Sequence, residues 1–138
     1  LYNGYHSDMT RTVAVHHADE EMKKIYNIVL QAQLAALKKV KSGVKTCSVD
    51  KTARDIISSE GYGEYFGHST GHGVGLDIHE QPNVSVSGET ILSNNMVITV
   101  EPGIYLPNKF GVRIEDMVLV TNNGCHNFAA LSKELVVI

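Results

Sequence analysis

Two glutamates of this chain interrupt apolar, β-branched segments. Glu101 directly follows the apolar run 96–100, and Glu115 lies between the apolar residues of the segment 112–120. A buried carboxylate is costly unless it is paired with a cation or binds a metal ion. If these segments are buried strands, both glutamates are therefore candidate metal ligands. Each glutamate taken alone, however, fits an alternating strand with solvent-facing acids at least as well.

A third carboxylate and one histidine complete a possible ligand set. Asp8 lies on a strand-like segment near the N-terminus, and His72 stands among glycines (GHGVG, 71–75) that let other backbone approach closely. His72 alone would be interpreted as a loop histidine without a role. One histidine with three carboxylates from different strands is instead the set expected for a pair of divalent transition metals such as Mn, Co, Fe or Zn. No sulfur ligand accompanies them, which argues against a structural zinc site.

Other catalytic and binding motifs are incomplete. The glycines of 71–75 resemble the start of a dinucleotide-binding fingerprint, but the preceding strand and the matching third glycine are missing. His79-Glu80 lacks the second histidine of the HExxH zinc helix. Ser7 and Ser69 have no strand–turn–helix context of a serine nucleophile. The polar residues therefore favour the metal hypothesis.

One strand and two helices are predicted in the first half of the chain. Alternating Thr and Val residues within 1–17 indicate a strand. A long helix is predicted from Asp19, followed by two glutamates at the positive helix start, to a stop at Gly43. A second helix is predicted from a cap at Ser48 to a stop at Gly61. The apolar face of the first helix repeats with a period near 3.6: Met22, Ile25, Val29, Ala32, Ala36 and Val40.

The second half of the chain carries mainly strand signals. Three strands are predicted, roughly over 96–106, 111–121 and 134–138, with a turn at Asn122-Asn123-Gly124. An order of one strand, two helices and several strands indicates an α+β fold rather than an alternating parallel sheet.

Composition and charge argue against several classes of protein. The chain has 138 residues, 43% of them hydrophobic, which suffices for one domain with a buried core. Its formal net charge is -3 without a basic cluster, so neither nucleic acid nor an anionic membrane is a predicted partner. No apolar run has the length of a membrane span. Cys47 and Cys125 fit neither a CxxC motif nor a disulfide framework, which is typical of reduced thiols in a cytoplasmic protein.

Four segments of the chain resemble those of a known family. GYHSDMTRT (4–12), GHGVG (71–75) with His79-Glu80, VEPGIY (100–105) and GVRIED (111–116) are similar to blocks of the pita-bread metallopeptidases, in the same order and at similar spacing. The resemblance covers essentially the whole chain. It implies an α+β pita-bread fold of the creatinase/aminopeptidase type.

The resemblance implies a role for each ligand-type residue. Asp8 and Glu115 match carboxylates that bridge two metal ions, whereas His72 and Glu101 match ligands of a single ion. The family's chemistry is hydrolysis by a hydroxide that two metal ions activate. Glu101 is the residue expected to carry the proton to the leaving nitrogen.

Four further residues match parts of the family's site that do not bind metal. His79 matches a histidine that assists substrate binding and stabilises the tetrahedral intermediate. His68 matches another histidine lining the site, although packing within its own loop is an alternative. Arg113 and Tyr105 match a pair that supports a ligating carboxylate.

The motifs also indicate a branch of the family. They resemble prolidases and Xaa-Pro aminopeptidases more than methionine aminopeptidases, and they keep the ligands that the creatinase branch lacks. The resemblance implies metal-dependent hydrolysis of the Xaa-Pro bond, at the N-terminus of peptides or in dipeptides, with a substrate that has proline at its second position. A catalytically inactive pita-bread binding module, or an inactive truncated fragment, is the alternative.

The resemblance is incomplete at its N-terminal side. The family's first ligating aspartate would lie upstream of Leu1. We therefore expect residues 1–138 to be the C-terminal part of a pita-bread catalytic domain, with the first part of the domain preceding them in the full-length protein. Two divalent ions, Mn, Co or Zn, are implied for that protein, and at most one tightly bound ion for this chain. Apolar surface facing the first part would favour a homo-oligomer.

Overall fold

The computed structural model describes residues 1–138, and the chain begins with two short strands. β1 (Met9–Thr10) and β2 (Val13–Ala14) occupy the segment for which the sequence predicts a strand. β1 belongs to the main sheet, whereas β2 pairs in parallel with the C-terminal strand β10 (Val136–Val137). The strand predicted near 134–138 is thus present but only two residues long.

Helix α1 (Glu20–Lys39) starts where the sequence predicts it. Asp19 caps the helix, since its side chain accepts a hydrogen bond from the Met22 amide at 2.8 Å. The helix ends at Lys39, so Gly43 does not terminate it. Gly43 has a φ of +87° and turns the connection to the next helix instead. The buried stripe of α1 follows helical spacing: Ile25, Val29, Ala32 and Ala36.

Helix α2 (Thr46–Ser59) begins earlier than predicted. Ser48 lies within its first turn and Lys45 holds the cap position without a side-chain hydrogen bond, so the prediction of a Ser48 cap is wrong. A neighbouring segment satisfies the free amides of this helix start, because the Thr46 N–H donates to the Thr90 carbonyl at 2.9 Å. Gly61, with a φ of +85°, follows the end of α2 as predicted.

Six strands form one antiparallel sheet that carries most of the polar residues of interest. The sheet has the spatial order β1, β8 (Glu115–Val120), β5 (Val97–Val100), β3 (Gly71–Gly73) and β4 (Glu80–Val84), and β9 (Cys125–Asn127) pairs with β8 as well. The sequence does not predict β3, β4 and β9, because they are short and lack a clear alternation of apolar residues. The predicted turn 122–124 joins β8 to β9, and its Thr121 N–H donates to the Gly124 carbonyl.

Two of the predicted long strands are each divided in two next to a glutamate. The segment 96–106 contains β5 and β6 (Gly103–Leu106), and 111–121 lies mainly in β7 (Phe110–Arg113) and β8. Pro102 cannot donate a ladder hydrogen bond, so pairing stops there and β6 forms a separate hairpin with β7. Glu101 consequently follows the end of β5, and Glu115 opens β8.

The hydrophobic core lies between the two helices and the main sheet. Ile25 and Val29 of α1 and Ile57 of α2 are fully buried, as are Ile98 of β5 and Val118 of β8. These side chains form one cluster, which holds the sheet rigidly against the helices. Neither helix combines the length and the apolar composition needed to cross a membrane.

Candidate metal centre

Three ligand-type side chains from three strands meet at one point. Asp8 directly precedes β1, His72 is the central residue of β3, and Glu115 is the first residue of β8. One ligand atom of each lies within 4.8 Å of the other two. The strand register explains the meeting, because Thr10 pairs with Glu115 and Asp8 lies two positions before Thr10, on the same face.

Glu101 reaches this group through His72. Its Oε1 lies 3.2 Å from His72 Nε2, and the same nitrogen lies 3.7 Å from Asp8 Oδ2. The side chains of Glu101 and Asp8 are 16% and 25% exposed to solvent, whereas Glu115 as a whole residue is 2% exposed. An outward-facing acid on an alternating strand is therefore the wrong interpretation of Glu115. Asp8, His72 and Glu115 thus converge, and Glu101 lies beside His72.

The electrostatics of the group reflect three acids around one imidazole. Burial raises the pKa of Glu115 to about 7, a rise to which the charges of Glu101 and Asp8 add and which the Thr10 hydroxyl opposes. Burial alone would lower the pKa of His72, but its contacts with Glu101 and the Gly73 carbonyl outweigh this and raise it. The carboxylates thus stand closer together than their charges favour, as in a site built around a cation.

The orientation of the His72 ring is fixed by its backbone. Nδ1 lies 2.9 Å from the Gly73 carbonyl oxygen and must donate its hydrogen to that acceptor. In the neutral ring, Nε2 is then the lone-pair nitrogen, and it faces Glu101 and Asp8. This tautomer is the one that a metal ligand requires.

A chain of hydrogen bonds leads from His68 to Glu115. The Tyr105 hydroxyl lies 3.0 Å from His68 Nε2 and accepts a hydrogen bond from Arg113 Nη1 at 3.4 Å. Arg113 Nε donates to the Thr10 hydroxyl at 3.2 Å, and Thr10 donates to Glu115 Oε2 at 2.5 Å. Thr10, which the sequence analysis does not single out, is thus the direct contact between the Arg113–Tyr105 pair and the carboxylate.

The polar residues open into a cleft of about 570 Å³. His79 lies on the cleft wall with its ring centroid 4.3 Å from that of His72, and it is exposed to solvent. Six of the predicted site residues and three neighbours line the cleft: His68, Ser69, Gly71, His72, His79, Asn83, Glu101, Tyr105 and Arg113. A substrate entering this cleft would meet His79 and Glu101 together.

A buried ionic cluster lies behind Glu115 and was not identified by its sequence pattern. Asp116 is fully buried, forms an ion pair with Lys133 and accepts hydrogen bonds from Arg11 at 2.7 Å, from Gln33 at 2.9 Å and from Asn127 at 2.8 Å. Arg11 also donates to the Glu115 carbonyl at 2.7 Å. The cluster therefore fixes the backbone of Glu115 from the side opposite to the cleft residues. The only signal in the sequence is the acidic residue next to Glu115 on an apolar strand.

Comparisons with known proteins place this geometry in a family. Residues 1–122 match the model of metallopeptidase family M24. The Xaa-Pro dipeptidase of Pyrococcus furiosus is 52% identical over 136 residues, which are 99% of this chain and 39% of that protein. Among solved structures, the Xaa-Pro dipeptidase from Bacillus anthracis has a TM-score of 0.97 at 50% identity, over 99% of this chain and 39% of that one. The X-Pro aminopeptidase from Thermotoga maritima has a TM-score of 0.96 at 45% identity, with the same coverage.

The chain belongs to metallopeptidase family M24. The resemblance to pita-bread metallopeptidases of the Xaa-Pro branch is thereby confirmed, and so is the α+β pita-bread fold. The chain spans only about 39% of the length of these relatives.

Proposed function

We propose that residues 1–138 form the C-terminal part of the catalytic domain of a metallopeptidase that hydrolyses the bond between a first residue and a following proline. The observation that carries the proposal is the convergence of Asp8, His72 and Glu115, with Glu101 beside His72 where both line the cleft. The names of the relatives, Xaa-Pro dipeptidase and X-Pro aminopeptidase, support the substrate class.

The ligand chemistry fits divalent transition metals. Three carboxylates and one neutral imidazole without a thiol suit Mn, Co or Zn. The pKa of Glu115, raised by burial and by neighbouring acids, gives an independent reason, because a bound cation would relieve that cost. We assign Asp8, His72, Glu101 and Glu115 as the residues that would hold the divalent ions in the full-length protein.

The residues in and beside the cleft have different roles in the proposed hydrolysis. Bound metal ions would supply Lewis-acid activation of water and of the scissile carbonyl. His79, exposed on the cleft wall, binds the substrate and donates to the oxygen on which negative charge develops. Glu101, which lies beside His72, would take a proton from the attacking water and deliver it to the proline nitrogen as the C–N bond breaks. Arg113 and Tyr105 hold Glu115 through Thr10, and His68 orients Tyr105.

The Xaa-Pro bond explains why a dedicated site is needed. The proline nitrogen carries no hydrogen and its ring restricts φ, so the bond does not fit an ordinary peptidase cleft. Dipeptides and the N-termini of longer peptides both present this bond. Retention of all four ligand residues argues against the alternative of an inactive binding module. We further propose that the full-length protein is a cytoplasmic homo-oligomer with two metal ions, and that this chain by itself holds no more than one ion tightly.

A chimera with a relative tests the proposal. Residues 1–138 would replace the matching segment of the Pyrococcus furiosus Xaa-Pro dipeptidase, and the hydrolysis of Ala-Pro would be measured with Mn²⁺ or Co²⁺. We expect activity in the chimera, and a decrease of kcat on the order of 10²–10³ in its His79→Ala variant at unchanged metal content. A folded chimera that binds metal but cleaves no Xaa-Pro substrate would support the binding-module alternative. An equal loss of metal in His79→Ala would make His79 a ligand.

A further inference from the structure

Thr99 is a fully buried threonine whose hydroxyl lies between two of the candidate ligands. It stands on β5 two positions before Glu101, so both side chains leave the chain on the same face. β5 pairs with β3, the strand that carries His72. The hydroxyl is therefore located where the strand of the nitrogen ligand meets the strand that leads to a carboxylate ligand.

The two hydrogen bonds of this hydroxyl determine where its proton points. The His72 backbone N–H donates to Thr99 Oγ1 at 3.0 Å, and Oγ1 lies 3.2 Å from Glu101 Oε1. A backbone amide can only donate, so it occupies a lone pair of the hydroxyl oxygen. The single hydroxyl proton is then directed to the Glu101 carboxylate, and the branched Cβ of Thr99 restricts χ1 and keeps it there.

Glu101 is the candidate ligand outside the closest group. Asp8, His72 and Glu115 bring ligand atoms within 4.8 Å of one another, and Glu101 contacts His72 of this triad. The oxygen that contacts His72 is the same Oε1 that accepts from Thr99. A carboxylate held at one oxygen by a rigid donor cannot rotate freely about its last side-chain bond.

We propose that Thr99 is a positioning residue that couples the His72 backbone to the Glu101 carboxylate and so orients Glu101 as the fourth ligand. The inference rests on the proposed metal centre and extends it to a residue outside the ligand set. Contacts of this kind typically contribute a factor of about 10–100 to metal affinity.

Replacement of the hydroxyl by a methyl group tests this role in the 138-residue chain. Thr99→Val should lower the affinity for Co²⁺ and Mn²⁺, measured by calorimetry, by about 10–100-fold. It should also change the visible absorption bands of bound Co²⁺, which report ligand geometry. Thr99→Ser retains the hydroxyl and should restore affinity to within about threefold of the original chain, as expected when the proton and not the methyl group matters.

Two comparisons separate positioning from a general effect on the fold. Thr46 is equally buried, but its hydroxyl has no hydrogen-bond partner, so Thr46→Val is the matched control and should leave metal affinity unchanged. In a Glu101→Ala background, Thr99→Val should cause no further loss of affinity, because its effect passes through Glu101. If circular dichroism shows that Thr99→Val is unfolded, Thr99→Ala serves in its place with the same expected loss.

The possible outcomes test the positioning role of Thr99 separately from the proposed metal centre. Equal affinity in the original chain and in the folded Thr99 variant would overturn the positioning role and leave the centre intact. A full additional loss in the Glu101→Ala background, or an equal loss in Thr46→Val, would overturn the positioning role in the same way. Failure of the original chain to bind Co²⁺ or Mn²⁺ would overturn the positioning role, which requires a bound ion, whereas the proposed function of the full-length protein is decided separately by the chimera.

Discussion

Asp116 is the buried anion behind the candidate metal centre, and Asp116→Asn tests whether its cluster stabilises the fold. The carboxylate is fully buried, and its cationic partners Arg11 and Lys133 retain only 13% and 18% of their side-chain exposure. An asparagine at this position must direct its NH₂ group to one of the two sides that the carboxylate oxygens now occupy. One side faces Arg11, and the other faces the donors of Gln33, Asn127 and Lys133. Each orientation places donor against donor beside buried positive charge.

The magnitude follows from the cost of breaking a buried ion pair. Removing one partner costs about 3–5 kcal/mol, and the remaining exposure of Arg11 and Lys133 places Asp116→Asn near the lower value, about 3 kcal/mol. Such a loss is a large part of a stability of about 5–15 kcal/mol for a domain. Urea unfolding followed by circular dichroism would measure it. The control is Asp55→Asn, which breaks an exposed pair with Lys51 and should cost about 0.3–0.5 kcal/mol.

The same residue predicts an acid sensitivity. Burial would raise the pKa of Asp116, but hydrogen bonds from Lys133, Arg11 and Gln33 outweigh this and hold it below the usual value. Its contribution to stability is therefore complete above about pH 4, where the unfolded carboxyl is ionised, and is lost as pH falls through the lower pKa of the folded state. Asp116→Asn should lack this acid transition. A variant within about 0.5 kcal/mol of the original chain at pH 7 would refute the reasoning.

Two further predictions concern the strands that carry the ligands. Gly71→Ala should lower the free energy of unfolding in urea by about 3 kcal/mol, because the added Cβ would collide with the Thr99 carbonyl oxygen. Gly67→Ala is the control and should be nearly neutral, because no atom lies within 4 Å of its added Cβ. Equal losses of stability in the two variants would contradict the packing argument. The second prediction concerns the metal-free chain in the presence of a chelator. The pKa of Glu115 is about 7 in the folded state and 4.5 when unperturbed, so the folded state holds the proton to higher pH than the unfolded state. The free energy of unfolding should therefore fall by about 3 kcal/mol as pH rises from about 4.5 to 7. Glu115→Gln should remove this fall, and an unchanged pH profile would contradict the assignment.

The helices show what local sequence can predict. Asp19, the two glutamates after it and the apolar stripe of α1 act within a few residues of one another, so the pattern alone predicts the helix start. The start of α2 depends on Thr90, 44 positions from Thr46, whose carbonyl accepts a backbone hydrogen bond. No local pattern contains that contact, and the predicted Ser48 cap was therefore wrong.

In the candidate site, too, residues with a local signal are predicted from the sequence, and residues whose role depends on distant contacts are not. The ligand-type residues are visible in the sequence because carboxylates in apolar strands and a histidine among glycines are unusual. Thr10 and Thr99 are not visible, since threonine is common in strands and their roles depend on the register of β1 with β8 and of β3 with β5. The apolar run before Glu101 is visible in the sequence, but only the structure shows that β5 ends at Val100 and that the following residues form a separate hairpin.

Metal titration of the 138-residue chain tests the central claim most directly. Asp8, His72, Glu101 and Glu115 should together hold any divalent ion that this chain binds tightly, so calorimetry with Mn²⁺ or Co²⁺ should give no more than one tight site per chain. His72→Ala should abolish that site, because it removes the only nitrogen ligand of the group. Two equally tight sites, or one tight site that survives His72→Ala, would contradict the proposed ligand set.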